Sequence, residues 1–381
     1  MVGDEDQLIY SFRSSDIEIL KDFETKADEI IILNENYRCN KEIIKLANKL
    51  ISNNKTRLNK ELVSNIEPKR KVIFKEFDSA YLEAVDVVNR IKMLHLDKEE
   101  YKDMAILYRN NVQMYTLEKV LTKEKIPYTV YGGKPFFEYA DIRTIINMYR
   151  FIYNPYNLIA FEDVYNKPNP IIEWYQMKPI LEEYRKQKED IPTFLTKQDN
   201  VVLKNLGEKY LKLIEAINTL EPERFFMLLL DTLHYSKYLK DSKTQKPEYL
   251  RLMQLKDMIT DLSKEEVKEF FNSLMLENKD MIKPQGVSLM TIHKSKGLEF
   301  NTVFIVGCND GIIPSTSKVD LEEDRRVFYV AMTRARQNLF LYSSAYHYVN
   351  GKTMKYKPSQ FIKEIGLYED DDFFGNYGYN I

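Results

Sequence analysis

The chain has 381 residues, enough for two or three domains. Its 44% hydrophobic and 30% charged residues are those of a globular chain, and 56 Lys+Arg against 58 Asp+Glu leave a net charge of −2. That balance excludes a globally basic nucleic-acid binder, so any phosphate contact must rest on local basic side chains.

Cys39 and Cys308 stand far apart, no CxxC occurs, and His95, His234, His293 and His347 do not cluster. Neither a zinc site nor a disulfide framework follows, and no residue is assigned to metal. The start, MVGDEDQLIY, lacks the basic and apolar regions of a signal peptide. No apolar run reaches the ~20 residues that span a bilayer. No membrane partner is expected, and a cytoplasmic location is the default.

Along the chain, residues 29–33 (EIIIL) read as a short buried strand, and Ile43, Ile44, Ala47, Leu50 and Ile51 predict a helix over about 41–51. Lys71–Phe77, Met104–Tyr108 and Tyr128–Tyr131 read as strands. Tyr81, Ala84, Val85, Val88 and Ile91 mark one intervening helix, and Met114, Leu117, Val120 and Leu121 another. Alternating strands and helices imply a parallel sheet covered on both faces. From about 139 to 282 the pattern is helical, with Tyr210, Leu213, Ile214 and Ile217 on one face and a helix beginning at Pro222. Ser263 and Glu266 have capping-box spacing ahead of another helix. After Pro284 the alternation resumes, with strands at Val287–Ile292, Thr302–Val306 and Leu339–Tyr342 and a helix at Glu322–Thr333. An α/β unit interrupted by a helical one reads as a domain inserted into another.

Four blocks carry chemistry: GDEDQLIYSFR (Gly3–Arg13), NYRC (Asn36–Cys39), TIHKSKGLEF (Thr291–Phe300) with the following Cys308–Pro314, and EEDRRVFYVAMTRAR (Glu322–Arg336). Singly, each has a bland reading. Arg38 or Arg334 alone is more often a surface arginine, His293 structural, Tyr10 and Phe12 core, and Lys294 and Lys296 solvated.

Together and in this order, the blocks resemble motifs III, IV, V and VI of superfamily 1 DNA helicases of the UvrD/Rep type. AILYRNN (Ala105–Asn111), IPYTVYGGKPFFEYADIR (Ile126–Arg143) and NPYNLIAFEDVYNKP (Asn154–Pro168) fit the same family, and the resemblance covers about residues 1–365. It implies a RecA-like α/β parallel-sheet domain, a P-loop NTPase fold without its own P-loop, interrupted by an all-helical domain. The implied division is 1–28 for the tail end of a first RecA-like domain, 29–138 and 283–366 for the halves of the second, 139–282 for the insert and 367–381 for a C-terminal tail.

The resemblance also implies site residues. Arg38 and Arg334 would be arginine fingers, since phosphoryl transfer develops charge on the γ-phosphate oxygens and a guanidinium forks onto two of them. Gln7 would sense the γ-phosphate and its water. Tyr37 would stack on adenine, Glu299 would bind the ribose, and Gly297 would allow close backbone approach. Phe12, with Tyr10 and Arg13 beside it, would stack on single-stranded DNA, where each base–aromatic contact contributes ~1–3 kcal/mol. His293 would link the nucleotide cleft to the strand.

No G-x-x-x-x-G-K-[ST] occurs, and no acidic D-E-x-x box follows an apolar run. Gly351-Lys352-Thr353 fails because Tyr346 stands where the first glycine is needed. The block at Gly3 follows Met1-Val2 directly, where a natural gene does not usually begin. The expectation is therefore the C-terminal portion of an ATP-dependent 3′–5′ DNA helicase, inactive by itself. Its expected partners are single-stranded DNA, single/double-strand junctions and the P-loop domain of the same polypeptide. ATP and Mg would serve the intact parent, with none bound tightly by this portion. One departure is the stretch Asn166–Trp174, which lacks the family's Gly-rich turn and puts its usual duplex contact in question. The alternatives are a non-hydrolysing accessory protein that binds DNA or a partner, and the motor part of a helicase–nuclease.

Overall fold

The computed structural model describes residues 3–9, 26, 29–57, 60–168, 172–235, 247–260, 262–276, 285–315, 320–349 and 352–369. The chain forms two compact units, one of Met1–Gly133 with Ile282–Ile381 and one of Lys134–Met281. In chain order the strands are β1 (Ile73–Ser79), β2 (Met104–Tyr108), β3 (Tyr128–Tyr131), β4 (Val287–Thr291), β5 (Phe300–Ile305), β6 (Ala335–Val349) and β7 (Lys352–Lys355). The helices are α1 (Lys41–Ile51), α2 (Ala80–Leu96), α3 (Asn111–Lys123), α4 (Ala140–Tyr153), α5 (Leu158–Val164), α6 (Trp174–Tyr184), α7 (Ile191–Thr196), α8 (Val201–Thr219), α9 (Pro222–Thr232), α10 (Pro247–Thr260), α11 (Lys264–Leu276), α12 (Leu321–Met332) and α13 (Gln360–Glu364).

Among the described residues, all strands lie in the first unit. They form one sheet in the order β1-β6-β5-β2-β4-β3, every pair along it parallel, while β7 pairs antiparallel with β6. The sheet is apolar on both faces because successive side chains alternate between them. On β2, Ala105 and Leu107 join the core containing α1, α12 and α13 residues. Met104, Ile106 and Tyr108 join the opposite core with residues of α2 and α3.

The second unit is helical throughout its described residues. Tyr149 of α4 stacks on Phe271 of α11 at 4.1 Å and meets Phe225 of α9 edge-on at 5.4 Å. The capping box at Ser263 is formed, with Ser263 N donating to Glu266 Oε2 (2.9 Å) and Glu266 N to Ser263 Oγ (3.2 Å).

One sequence expectation needs correction. EIIIL is not a buried strand: residues 29–33 are in no strand, and Ile31 and Leu33 are 76% and 80% exposed. An apolar run buries only where a neighbouring surface receives it, and nothing in the described residues covers this one. Leu367 and Tyr368 pack on the core, where Tyr368 meets Phe74 edge-on at 5.9 Å. Residues 370–381 lie outside the described residues.

A buried polar cluster ties the loop after β5 to the end of β6. The Glu83 carboxylate accepts from Gly307 N (2.7 Å) and Ser344 Oγ (2.7 Å). Ser344 Oγ also lies 3.0 Å from His347 Nε2. Burial raises the Glu83 carboxyl to about 7, against the lowering effect of its hydrogen bonds to Ser344 and Gly307. The folded state thus holds a proton that the unfolded chain releases near 4.5. The stability this adds is full below 4.5 and is lost as pH rises through about 7. Burial shifts His347 downward, so its own contribution falls as pH drops through 6.5. Glu83→Gln is expected to remove the share of the decline in melting temperature between pH 4.5 and about 7 that Glu83 supplies, leaving the trends of other shifted groups such as His347 and His293. A thermal-melt series in which the variant keeps the wild-type slope would refute this account of Glu83.

Candidate active site

Arg38 follows the loop that leads into α1. Asn36 Oδ1 accepts from Arg38 N (3.0 Å) and Cys39 N (2.9 Å), which turns the chain so that Asn40 can cap the helix. The Asn40 side chain accepts from Glu42 N and Ile43 N. This places Arg38 beside the start of β5, where its Nε donates to Glu299 Oε2 at 2.6 Å. The two side chains are 33% and 45% exposed. Pairs of that exposure contribute ~0–1 kcal/mol, so a ligand can displace either partner at small cost.

Arg334 stands between α12 and β6 and is buried, 1% exposed. Its Nε donates to Val330 O (3.0 Å) and its terminal nitrogens to Leu298 O (3.1 Å) and Thr333 Oγ1 (3.2 Å). Burial lowers its pKa to about 10, and the neighbouring Arg38 charge adds to the effect. It remains protonated at neutral pH. The backbone locks this corner, because Phe300 N donates to Arg334 O at 2.9 Å.

Gly297 adopts φ +89°, which glycine accepts without the strain of a Cβ, and no atom lies within 4 Å of where a Cβ would stand. Tyr37 is 78% exposed, its hydroxyl donating to Glu35 Oε2 at 2.6 Å. Arg38, Glu299, Arg334 and Gly297, from three separate blocks, therefore meet at the N-terminal ends of β5 and β6. Guanidiniums, an exposed ring and open space above a glycine are features that fit a nucleoside triphosphate.

His293 is elsewhere. Residues 292–299 run from the C-terminal end of β4 to the N-terminal end of the parallel β5, two strands over, so His293 and Glu299 lie beyond opposite ends of the strands. Burial first and the Arg109 charge second lower the His293 pKa, with Glu323 and Asp324 opposing. Its imidazole is neutral at pH 7. Gln7 lies in a one-turn helix, Glu5–Gln7, that packs on α12, and its carbonyl accepts from Lys296 Nζ at 3.0 Å. Tyr10, Phe12 and Arg13 fall outside the described residues.

The sequence reading missed the polar partners that hold these blocks. Arg57 and Lys60 receive the acidic residues Asp4, Glu5 and Asp6. Arg109 pairs with Asp324 at 3.2 Å, and Asp324 also accepts from Ser315 N at 2.6 Å. Arg325 forks onto Glu364 with two bonds of 2.8 Å. The usable signal was charge beside a motif, as in the Arg57/Lys60 pair spaced three apart, but pairing across fifty residues cannot be read from a single chain.

A parallel sheet covered on both faces, with arginines from separate motifs at one end, defines a RecA-like α/β domain. Residues 31–346 match the UvrD-like helicase C-terminal domain, and residues 1–28 match the UvrD/REP helicase N-terminal domain. The chain belongs to the UvrD-like helicase family. It is 33% identical to the ATP-dependent DNA helicase Rep of Buchnera aphidicola subsp. Baizongia pistaciae, over 96% of this chain and 60% of that relative. It is 33% identical to a probable DNA helicase II homolog of Mycoplasma capricolum subsp. capricolum, over 99% of this chain and 56% of the relative. Its identity to the ATP-dependent DNA helicase PcrA of Staphylococcus aureus is 30%, over 96% and 54%. The chain thus spans little more than half the length of these relatives. Among the described residues, no helix is long and apolar enough to cross a membrane, and no group of three or more His, Cys, Asp or Glu side chains could hold a metal ion.

Proposed function

We propose that this chain is the C-terminal portion of an ATP-dependent 3′–5′ DNA helicase or translocase. It supplies Arg38 and Arg334 to ATP bound by a P-loop domain of the same polypeptide, and part of the track for single-stranded DNA. The observation that carries this reading is the convergence of Arg38, Glu299, Arg334 and Gly297 from three separated motifs. A ribose engaging Glu299 takes the carboxylate from Arg38 and leaves that guanidinium for the γ-phosphate oxygens. Arg334, held in the same corner, adds a second positive charge as the transition state develops. Tyr37 offers its exposed ring to the base. ATP and Mg would be held on the P-loop side of the intact enzyme, where the ion would supply neutralisation of the phosphate charge. Gln7 senses the γ-phosphate, and Tyr10, Phe12, Arg13 and His293 serve the DNA side.

The test is DNA-stimulated ATP hydrolysis by the chain alone and mixed with a separately made P-loop domain from its own reading frame. Turnover only in the mixture, lost in Arg38→Ala, is the expected result. Metal-dependent turnover by the pure chain, abolished by Arg334→Ala, would overturn the claim that it is inactive alone.

A further inference from the structure

The turn Gly3–Ile9 belongs to the part of the chain that matches the helicase N-terminal domain, and Arg57 and Lys60 to the part that matches the C-terminal domain. The two are joined by a dense set of ionic contacts. Arg57 grips Asp6 through two bonds, Nε to Oδ1 at 3.1 Å and a terminal nitrogen to Oδ2 at 2.9 Å. Lys60 Nζ lies 2.7 Å from Asp4 Oδ1, 2.8 Å from Glu5 Oε2 and 3.5 Å from Asp6 Oδ2. The arrangement is withdrawn from water: the Asp6 side chain is 2% exposed and Lys60 10%. Burial alone would lower the Lys60 ammonium, but the three carboxylates outweigh it and its pKa is raised. Charge-assisted contacts in so dry a setting are short and directional.

The clamp reaches Gln7 through Asp4. While Oδ1 of Asp4 takes Lys60, its Oδ2 accepts from Gln7 Nε2 at 2.6 Å. Gln7 N donates to Asp4 O at 3.1 Å, and Gln7 O accepts from Lys296 Nζ at 3.0 Å. Gln7 is thereby held at three atoms, its side-chain amide by Asp4 Oδ2 and its backbone N and O by Asp4 O and Lys296, beside the segment that runs from His293 to Glu299.

We propose that Lys60 and Arg57 are positioning residues that lock the Asp4–Asp6 turn onto the C-terminal domain and, through Asp4, set the orientation of the Gln7 side chain. The role given to Gln7 at the γ-phosphate rests on the function proposed above; the clamp itself does not. Lys60 acts by holding Asp4, and a reacting group misplaced by ~1 Å can lose about 10²-fold in rate.

The test uses the whole chain, isotopically labelled, and reads Gln7 by nuclear magnetic resonance. In Lys60→Met the amide exchange of Gln7 and Leu8 is expected to accelerate at least about tenfold, and the Gln7 side-chain amide resonance to move to its free-peptide position. Core amides of Leu107 and Phe340 stay as in the wild type. Lys60→Arg, which keeps the charge, restores both signals. Asp4→Ala, at a side chain 32% exposed and so tolerated by the fold, releases the Gln7 side chain in the same way. Protected exchange and an unmoved Gln7 resonance in Asp4→Ala or Lys60→Met overturn the clamp. In the P-loop-bearing polypeptide, Lys60→Met lowers the ATPase kcat by about 10²-fold with KM within about threefold, and Lys60→Arg recovers it. The exchange readout needs no turnover. An inactive wild type therefore refutes the nucleotide reading alone, and an unmoved Gln7 refutes the clamp alone.

Discussion

In a polypeptide that joins this chain to its P-loop domain, Arg38→Ala is expected to lower the ATPase kcat by about 10³-fold or more while KM for ATP changes by less than about tenfold. Arginines that act on the developing charge of a transferring phosphoryl group contribute 10³–10⁵ in rate in comparable systems, about 4–7 kcal/mol at 1.36 kcal/mol per tenfold. The effect falls on kcat because the interaction strengthens only as the transition state forms. Stability should hardly change: Arg38 is one-third exposed, and its side-chain partner Glu299 is one that water can solvate. Arg334→Ala should behave differently. That side chain is 1% exposed and donates to the carbonyls of Val330 and Leu298. Its removal leaves a cavity and an unpaired Leu298 oxygen in addition to the lost charge. Lost turnover with a lower melting temperature is expected for Arg334→Ala, against lost turnover at an unchanged melting temperature for Arg38→Ala. Steady-state kinetics and thermal melts on both variants decide it; an Arg38→Ala enzyme that keeps kcat and loses only affinity for ATP would exclude the finger role.

The second large effect is on stability. Phe304→Ala in β5 is expected to cost about 3–5 kcal/mol. Phe304 is fully buried on a strand flanked by β2 and β6. Its ring stacks on Phe340 at 5.0 Å with the planes 13° apart, and Tyr342 lies at 6.3 Å. Backbone hydrogen bonds on both sides prevent the strand from shifting to fill the hole, so most of the cavity persists. Urea unfolding followed through the α/β unit should show the loss as a lowered midpoint. Ile31→Ser provides the contrast: Ile31 is 76% exposed, and substitutions at such positions change stability by about ±0.5 kcal/mol. A Phe304→Ala midpoint as close to wild type as that of Ile31→Ser would mean that the core repacks.

Much of the architecture was legible because local periodicity survives folding. Met104–Tyr108 and Tyr128–Tyr131 are strands over those same residues. The helix read from about 41 to 51 is Lys41–Ile51, whose buried residues include Ile43, Ile44, Ala47, Leu50 and Ile51. The strand read as Leu339–Tyr342 extends over Ala335–Val349, because Ala335–Leu341 pairs with β5, Phe340–Tyr346 with β1 and Tyr346–Val349 with β7, and ladder bonds carry its polar residues. EIIIL failed for the opposite reason, because an apolar run carries no information about whether a surface exists to bury it.

What the sequence determined by itself was the alternation of elements, the interruption by a helical unit and the family, all of which depend on residue type and order along the chain. What only the tertiary structure decided was which charges meet. Arg38 finds Glu299 across 261 positions, and Arg57 finds Asp6 across 51. It also decided that Arg334 is sheathed by backbone carbonyls rather than set at the surface. Such pairings follow from strand order and from where α1 and α12 pack on the sheet, and long polar side chains reach whatever that packing brings within about 3 Å.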